Sequence, residues 1–327
     1  AWTPGNGLDS SLEDVIYGMW TDGADLWVGS AGSNGWQVRA EIGVLDSSGN
    51  WTVYSNGGNI PTGYPTSFVE CAGIIHIAMN NNWNGGVARF DIANDTWISS
   101  FTQGNNGLAD DTPGAVTCDS QDILYVGYYA DDQPISRFNY NTGHWIGDID
   151  QSSHGISSDR VFWDSLAWGG GRLMIGHGVS SAGGTGNGGS EGGYSTLTAS
   201  GTSASQASVQ RVGAAVTTWE FSGTTRLYGQ AGGSTGYSHV DEISQLGINT
   251  VNSLPGLVNG EIQMFDGNST HIWAATGNGN SAGGLLEGTY LPNGSIEWTR
   301  GWSAYGGIIV DIELVDDILY TSVQGVG

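Results

Sequence analysis

One five-residue run recurs along the chain and restricts its fold more than any other feature. Leu26-Trp27-Val28-Gly29-Ser30 returns closely as Leu124-Tyr125-Val126-Gly127-Tyr128 and Leu173-Met174-Ile175-Gly176-His177. Looser copies are Ile75-His76-Ile77-Ala78-Met79, Ile272-Trp273-Ala274-Ala275-Thr276 and Leu319-Tyr320-Thr321-Ser322-Val323, with Leu227-Tyr228-Gly229 a shortened one. Their first residues are separated by 49, 49, 49, 54, 45 and 47 positions. Short apolar strands returning about every 50 residues are the signature of a β-propeller with one blade per repeat.

Around this anchor each repeat reads as four antiparallel strands. A short apolar run such as Val15-Ile16-Tyr17-Gly18-Met19 precedes it across a turn of Asp, Gly or Asn. A third strand follows a Gly-rich loop (Gly86-Val87-Ala88-Arg89-Phe90-Asp91), and a fourth carries a Trp after a hairpin turn, as at Trp51, Trp97 and Trp145. This predicts an all-β, seven-bladed propeller forming one domain over residues 1–327. The blades span about residues 9–53, 60–100, 108–149, 156–210, 211–253, 257–303, and 308–327 plus 1–5. Trp2 to Leu8 reads as a fourth strand with its exit, so the N-terminal strand is expected to close the last blade and remove exposed edges. That blade lacks an obvious third strand. Ser180 to Gly193 reads as a long loop followed by a strand, and Thr196 to Ser208 as either loop or a polar strand pair.

Charge narrows the partners. There are 32 acidic residues against 8 basic ones, all arginine, for a formal charge of −24. Such a surface repels nucleic acid and anionic membranes. It suits high salt, where screening weakens self-repulsion, and equally an ordinary acidic secreted protein. No run of 18 apolar residues is present, so no membrane insertion is expected. The start at Ala1 suggests a processed chain or an excised domain, and the expected location is extracellular or at the cell surface.

The combined pattern NGL…V…D…LWVG…G…RFD…W resembles the two-component regulator propeller repeat, best in blades one to three and partially in blades six and seven. The resemblance implies an extracytoplasmic propeller, in that family often the sensor part of a membrane histidine kinase. Similar blades also occur in secreted surface and adhesion proteins.

Ligands of propellers usually meet loops at one mouth of the channel. Here the loops after the anchor carry Asn82, Trp83, Tyr128, Tyr129, Asp131, Asp132 and His177. Aromatic rings among amides and carboxylates are the composition of a sugar-binding surface; the same rings would equally serve to cover blade ends. The pairs Asp110-Asp111, Asp131-Asp132 and Asp316-Asp317 are either solvated turn carboxylates or oxygen donors for Ca²⁺, and no cofactor is required. Cys71 and Cys118 fall near the ends of equivalent inner strands, as a disulfide or as two buried thiols. Sequons at Asn50, Asn94, Asn268 and Asn293 would accept glycans on an exported chain, although Asn is wanted in such turns for geometry alone.

No catalytic motif stands out. The sialidase Asp-box is not matched, Arg89 and Arg137 share one repeat position and read as structural, and the six histidines lie near no G-x-S-x-G nucleophile. A glycosidase-like carboxylate pair drawn from distant blades stays open, because sequence does not give its separation. The expectation is a non-catalytic structural or adhesive surface module that contacts other copies, surface proteins or glycans. The alternatives are a ligand-sensing domain of a larger receptor and a carbohydrate-active enzyme.

Overall fold

The computed structural model describes residues 3–4, 7–8, 15–34, 37–81, 84–104, 107–129, 133–156, 160–177, 193–198, 205–208, 216–221, 224–232, 238–244, 247–253, 261–278, 281–292, 296–303, 308–315 and 318–324. Within them the chain is a β-propeller. Six four-stranded antiparallel sheets follow one another, each ordered as in the chain, and a two-stranded antiparallel sheet comes last. The innermost strands are Val15–Thr21, Tyr64–Cys71, Pro113–Cys118, Val161–Gly169, Val216–Phe221, Glu261–Gly267 and Ile308–Val315. Each lies against the next, and Ile308–Val315 returns to Val15–Thr21, which closes the ring.

The anchor is the second strand of each sheet, and its fourth residue is small for a steric reason. A Cβ on Gly29 would stand 2.5 Å from Cβ of Pro65 in the next blade, and one on Gly127 would stand 2.7 Å from Val161. Ala78, Ala275 and Ser322 occupy the corresponding places in other blades. The anchor's small residue is therefore a place where neighbouring blades touch closely.

Hairpin turns are built by Asx side chains, which offer the backbone a local acceptor. Between first and second strands, Asp22, Asp119 and Asn268 accept from N–H groups two to four residues on. Between third and fourth strands, Asp46, Asp91 and Asn139 do the same. Aromatic rings then cross the seams. Trp27 of the first blade meets Phe90 of the second at 5.2 Å, Phe101 meets Trp145 of the third at 5.1 Å, and Tyr125 stacks on Trp168 of the fourth at 5.8 Å. Such pairs contribute about 0.5–1.5 kcal/mol each beyond their burial.

Three expectations need correction or refinement. The seventh sheet has two described strands, Ile308–Val315 and Ile318–Gln324, so four-stranded blades number six among the described residues. Among the described residues no N-terminal strand pairs with it: Thr3–Pro4 pairs in parallel with Gly7–Leu8. Pro4-Gly5-Asn6-Gly7 is turn-forming, and a two-residue strand containing Pro has too few N–H donors to extend a ladder. The segment from Thr196 to Ser208 resolves as polar pairing of strands Gly193–Thr198 and Ser205–Ser208. The loop expected before it lies outside the described residues.

Candidate functional site

Of the proposed mouth residues, Tyr128, Tyr129 and His177 are among the described residues. Asn82, Trp83, Asp131 and Asp132 lie outside the described residues, as do the sequon at Asn293 and the pair Asp316-Asp317. Tyr128 is fully buried: its hydroxyl donates to Ser136 Oγ at 3.0 Å and accepts the Ala109 N–H at 3.1 Å. Burial pushes that phenol's pKa up. Tyr129 is half-buried, with the Arg160 guanidinium 4.1 Å above its ring.

His177 is buried with no exposed surface. Its Nε2 lies 2.8 Å from Ser195 Oγ and its Nδ1 lies 3.3 Å from the Arg160 carbonyl. This copies the outer form of a serine–histidine dyad. Ser195 is equally buried, however, and a peptide carbonyl stands where an orienting acid would. Burial lowers the imidazole pKa to about 4, so the ring is neutral and packed. His76 behaves alike: burial, with Arg89 adding repulsion, lowers it to about 3, and Nε2 bonds Tyr140.

The remaining sequence candidates serve the framework. Arg89 and Arg137 donate through Nε to Ser99 O and Gly147 O, each at 2.7 Å, the same bond in successive blades. Asp110 accepts from Thr112 N at 2.9 Å, and Asp111 from Gln103 N at 3.2 Å. Asn50 and Asn94 donate from Nδ2 to Asp46 and Asp91 across their hairpin turns, and Asn268 accepts the Thr270 and His271 N–H groups. Cys71 and Cys118 are joined by a disulfide that ties the second blade to the third, with 5.5 Å between Cα atoms. Among the described residues no group of three or more His, Cys, Asp or Glu is placed to hold a metal ion. Among them also, no helix is long and apolar enough to cross a membrane.

What the sequence reading missed lies on the inner strands. Asp164, Asp266, Asp311 and Glu313 come from the fourth, sixth and seventh sheets and share one electrostatic environment. Desolvation is the leading cause in each case and raises Asp164 to about 6 and Asp266 to about 7. Asp311 and Glu313 are pushed well above the carboxylate range, with mutual repulsion adding to burial. Asp311 is 2 % exposed. Its Oδ2 accepts the Met19 N–H of the first blade, and Glu313 Oε1 accepts Thr21 N–H at 3.0 Å. Asp266 Oδ2 accepts the Leu314 N–H of the seventh sheet. Asp164 is bonded by Ser67 of the second blade, two blades away across a narrow centre. An acidic residue inside an apolar first strand, as in Met264-Phe265-Asp266 or Ile309-Val310-Asp311-Ile312, was the available signal.

Among solved structures, the extracellular domain of a hybrid two-component system from B. thetaiotaomicron aligns over 96 % of this chain with TM-score 0.63 and 14 % identity. The extracellular domain of a one-component system from the same organism aligns over 95 % with TM-score 0.53 and 15 % identity. This chain spans 39 % and 44 % of those two chains. Hydrazine synthase of Kuenenia stuttgartiensis aligns over 97 % of this chain and 98 % of its own, with TM-score 0.61 and 11 % identity. These likenesses share the propeller fold, including the propellers of extracellular sensor domains that the repeat pattern resembles. No protein-family profile and no curated protein sequence matches the chain.

Proposed function

We propose that the chain is an extracellular, seven-bladed propeller that acts without catalysis, as a recognition or adhesive module at a cell or particle surface. One observation carries the reading: His177 with Ser195, and His76, are buried and engaged in hydrogen bonds within the framework. Chemistry at those groups would need access that the blades deny, whereas binding needs only the loop-bearing faces. The Cys71–Cys118 bond supports an oxidising compartment. Partners are other copies of the chain, surface proteins or glycans, and no cofactor is required.

A second reading has its own support. The likeness to extracellular domains of signalling systems favours a ligand-sensing domain of a larger receptor. One experiment separates these readings from an enzyme and from each other. The purified chain is screened for thermal stabilisation by oligosaccharides and small metabolites, for native mass, and for hydrolysis of the same oligosaccharides. Glycan binding or self-association without turnover supports the surface module. Stabilisation by one small metabolite supports sensing, and turnover of an oligosaccharide overturns the non-catalytic reading.

A further inference from the structure

The ring is joined at its last seam by carboxyl groups, and this gives it a property the proposed binding role does not require. Three backbone-directed bonds hold the two-stranded seventh sheet: Asp266 to Leu314 N–H on one side, and Asp311 to Met19 N–H and Glu313 to Thr21 N–H on the other. The strands packed about them are Val15–Thr21, Glu261–Gly267, His271–Asn278, Ser281–Tyr290, Ile308–Val315 and Ile318–Gln324. None of the six contains a lysine or an arginine; Val216–Phe221 and Thr224–Gly232, which pack on Glu261–Gly267 from the fifth sheet, carry Glu220 and Arg226. Besides the three acids their titratable groups are Tyr17, Glu261, His271, Glu287, Tyr290 and Tyr320, with Asp164 facing from the fourth blade. His271 lies 4.0 Å from Glu287, a partner outside the acidic group.

A second observation points at the same place. Ser322 is 3 % exposed and its hydroxyl oxygen has no hydrogen-bond partner. Register sets Ser322 directly opposite Asp311, so the two side chains leave the same face of the sheet toward the first blade. That hydroxyl can donate to a carboxylate or accept a hydrogen bond from a carboxylic acid, so it is an open polar partner for Asp311 inside the seam.

We propose that closure of the ring is proton-linked: the seventh sheet is clasped between the sixth and first blades with its carboxyl groups neutral, and the clasp loosens as they ionise. Glu313 accepts Thr21 N–H through Oε1, which leaves its other oxygen free to hold a proton in the closed state. Opening to water lets each acid release that proton at its ordinary carboxylate pKa. The sign follows: folded pKa values stand above unfolded ones, so the stabilisation is complete below about pH 4 and is lost as pH rises through the folded values. For Asp266 that loss is spread up to about 7, and for Asp311 and Glu313 it continues higher.

Hydrogen exchange read by mass spectrometry, corrected for intrinsic rates, tests this between about pH 5 and about pH 8 on the intact chain. Each proton released on opening raises the open fraction about tenfold per pH unit. Peptides covering residues 15–21 and 308–315 are expected to lose protection with rising pH, while those covering 64–71 and 113–118 keep theirs. Glu313→Gln, which keeps the Thr21 acceptor and cannot ionise, should flatten the response. Equal pH response at both seams, or an unchanged response in the variant, overturns the proposal. Should the variant not fold, the infrared carbonyl stretch of wild-type protein decides. A protonated-carboxyl band at neutral pH that vanishes on opening supports closure by neutral acids, and its absence overturns it.

Discussion

The seam between the second and third blades and the seam between the seventh sheet and the first blade solve one geometric problem with different chemistry. Ser67 and Asp311 occupy the same repeat position, one residue before the partners of Ile77 and Thr321. Ser67 Oγ receives Val116 N–H at 3.1 Å, and Asp311 receives the equivalent Met19 N–H. The first seam is neutral and is reinforced by Thr66, whose hydroxyl donates to Gly114 O at 3.0 Å, and by the Cys71–Cys118 disulfide. The second gathers Asp311 and Glu313 where no covalent tie is present among the described residues. A hydroxyl is uncharged at any ordinary pH, whereas a buried carboxyl is disfavoured by desolvation once it ionises. The same backbone N–H thus meets an indifferent partner at one seam and a titrating one at the other.

The largest effect expected from breaking this comparison is at the covalent seam. Replacing both Cys71 and Cys118 with Ser should lower unfolding free energy by about 2–4 kcal/mol, read by denaturant titration, because the bond closes a loop of 47 residues. An unchanged midpoint would mean that the blades hold each other without it. Next is steric closeness: Gly29→Val drives a side chain into Pro65 and should cost about 1–3 kcal/mol by the same assay. Gly127→Val, pressed against Val161, should behave alike.

Exchanging the chemistry of the seams sharpens the contrast. Ser67→Ala should cost about 1–2 kcal/mol through the lost acceptor for Val116 N–H, with no change in pH dependence from that bond. Asp311→Ser should reduce the fall in melting temperature between mildly acidic and mildly alkaline pH. Ser67→Asp, placed beside Asp164, should deepen that fall. The smallest effect belongs to the outer turns: Asn94→Ala removes one hydrogen bond to Asp91 and should cost about 0.5 kcal/mol at the exposed hairpin.

These contrasts also mark what could be read in the residues alone. Blade order followed from the anchor because its side chains repeat with the strand period, and the small fourth residue is forced by Pro65 and Val161 of the next blade. The shared place of Arg89 and Arg137 was legible for the same reason, since one repeat position means one bond. The gathering of Asp164, Asp266 and Asp311 was not legible. Those residues stand about 45 to 150 positions apart, and only closure of the ring brings their carboxyls into one field. Tyr128 was hard to read for another reason: it ends an anchor where a loop aromatic would begin, yet its hydroxyl reaches inward to Ser136 and Ala109.

The stitch between the second and third blades has a consequence for how the molecule withstands proteolysis. A protease that nicks the backbone anywhere between positions 71 and 118 leaves both pieces covalently joined. The strands flanking the cut remain paired, and the wounded ring still travels as one body. A nick elsewhere on the chain has no such safeguard, so the blades on either side of this bond form the sector best protected against being shed.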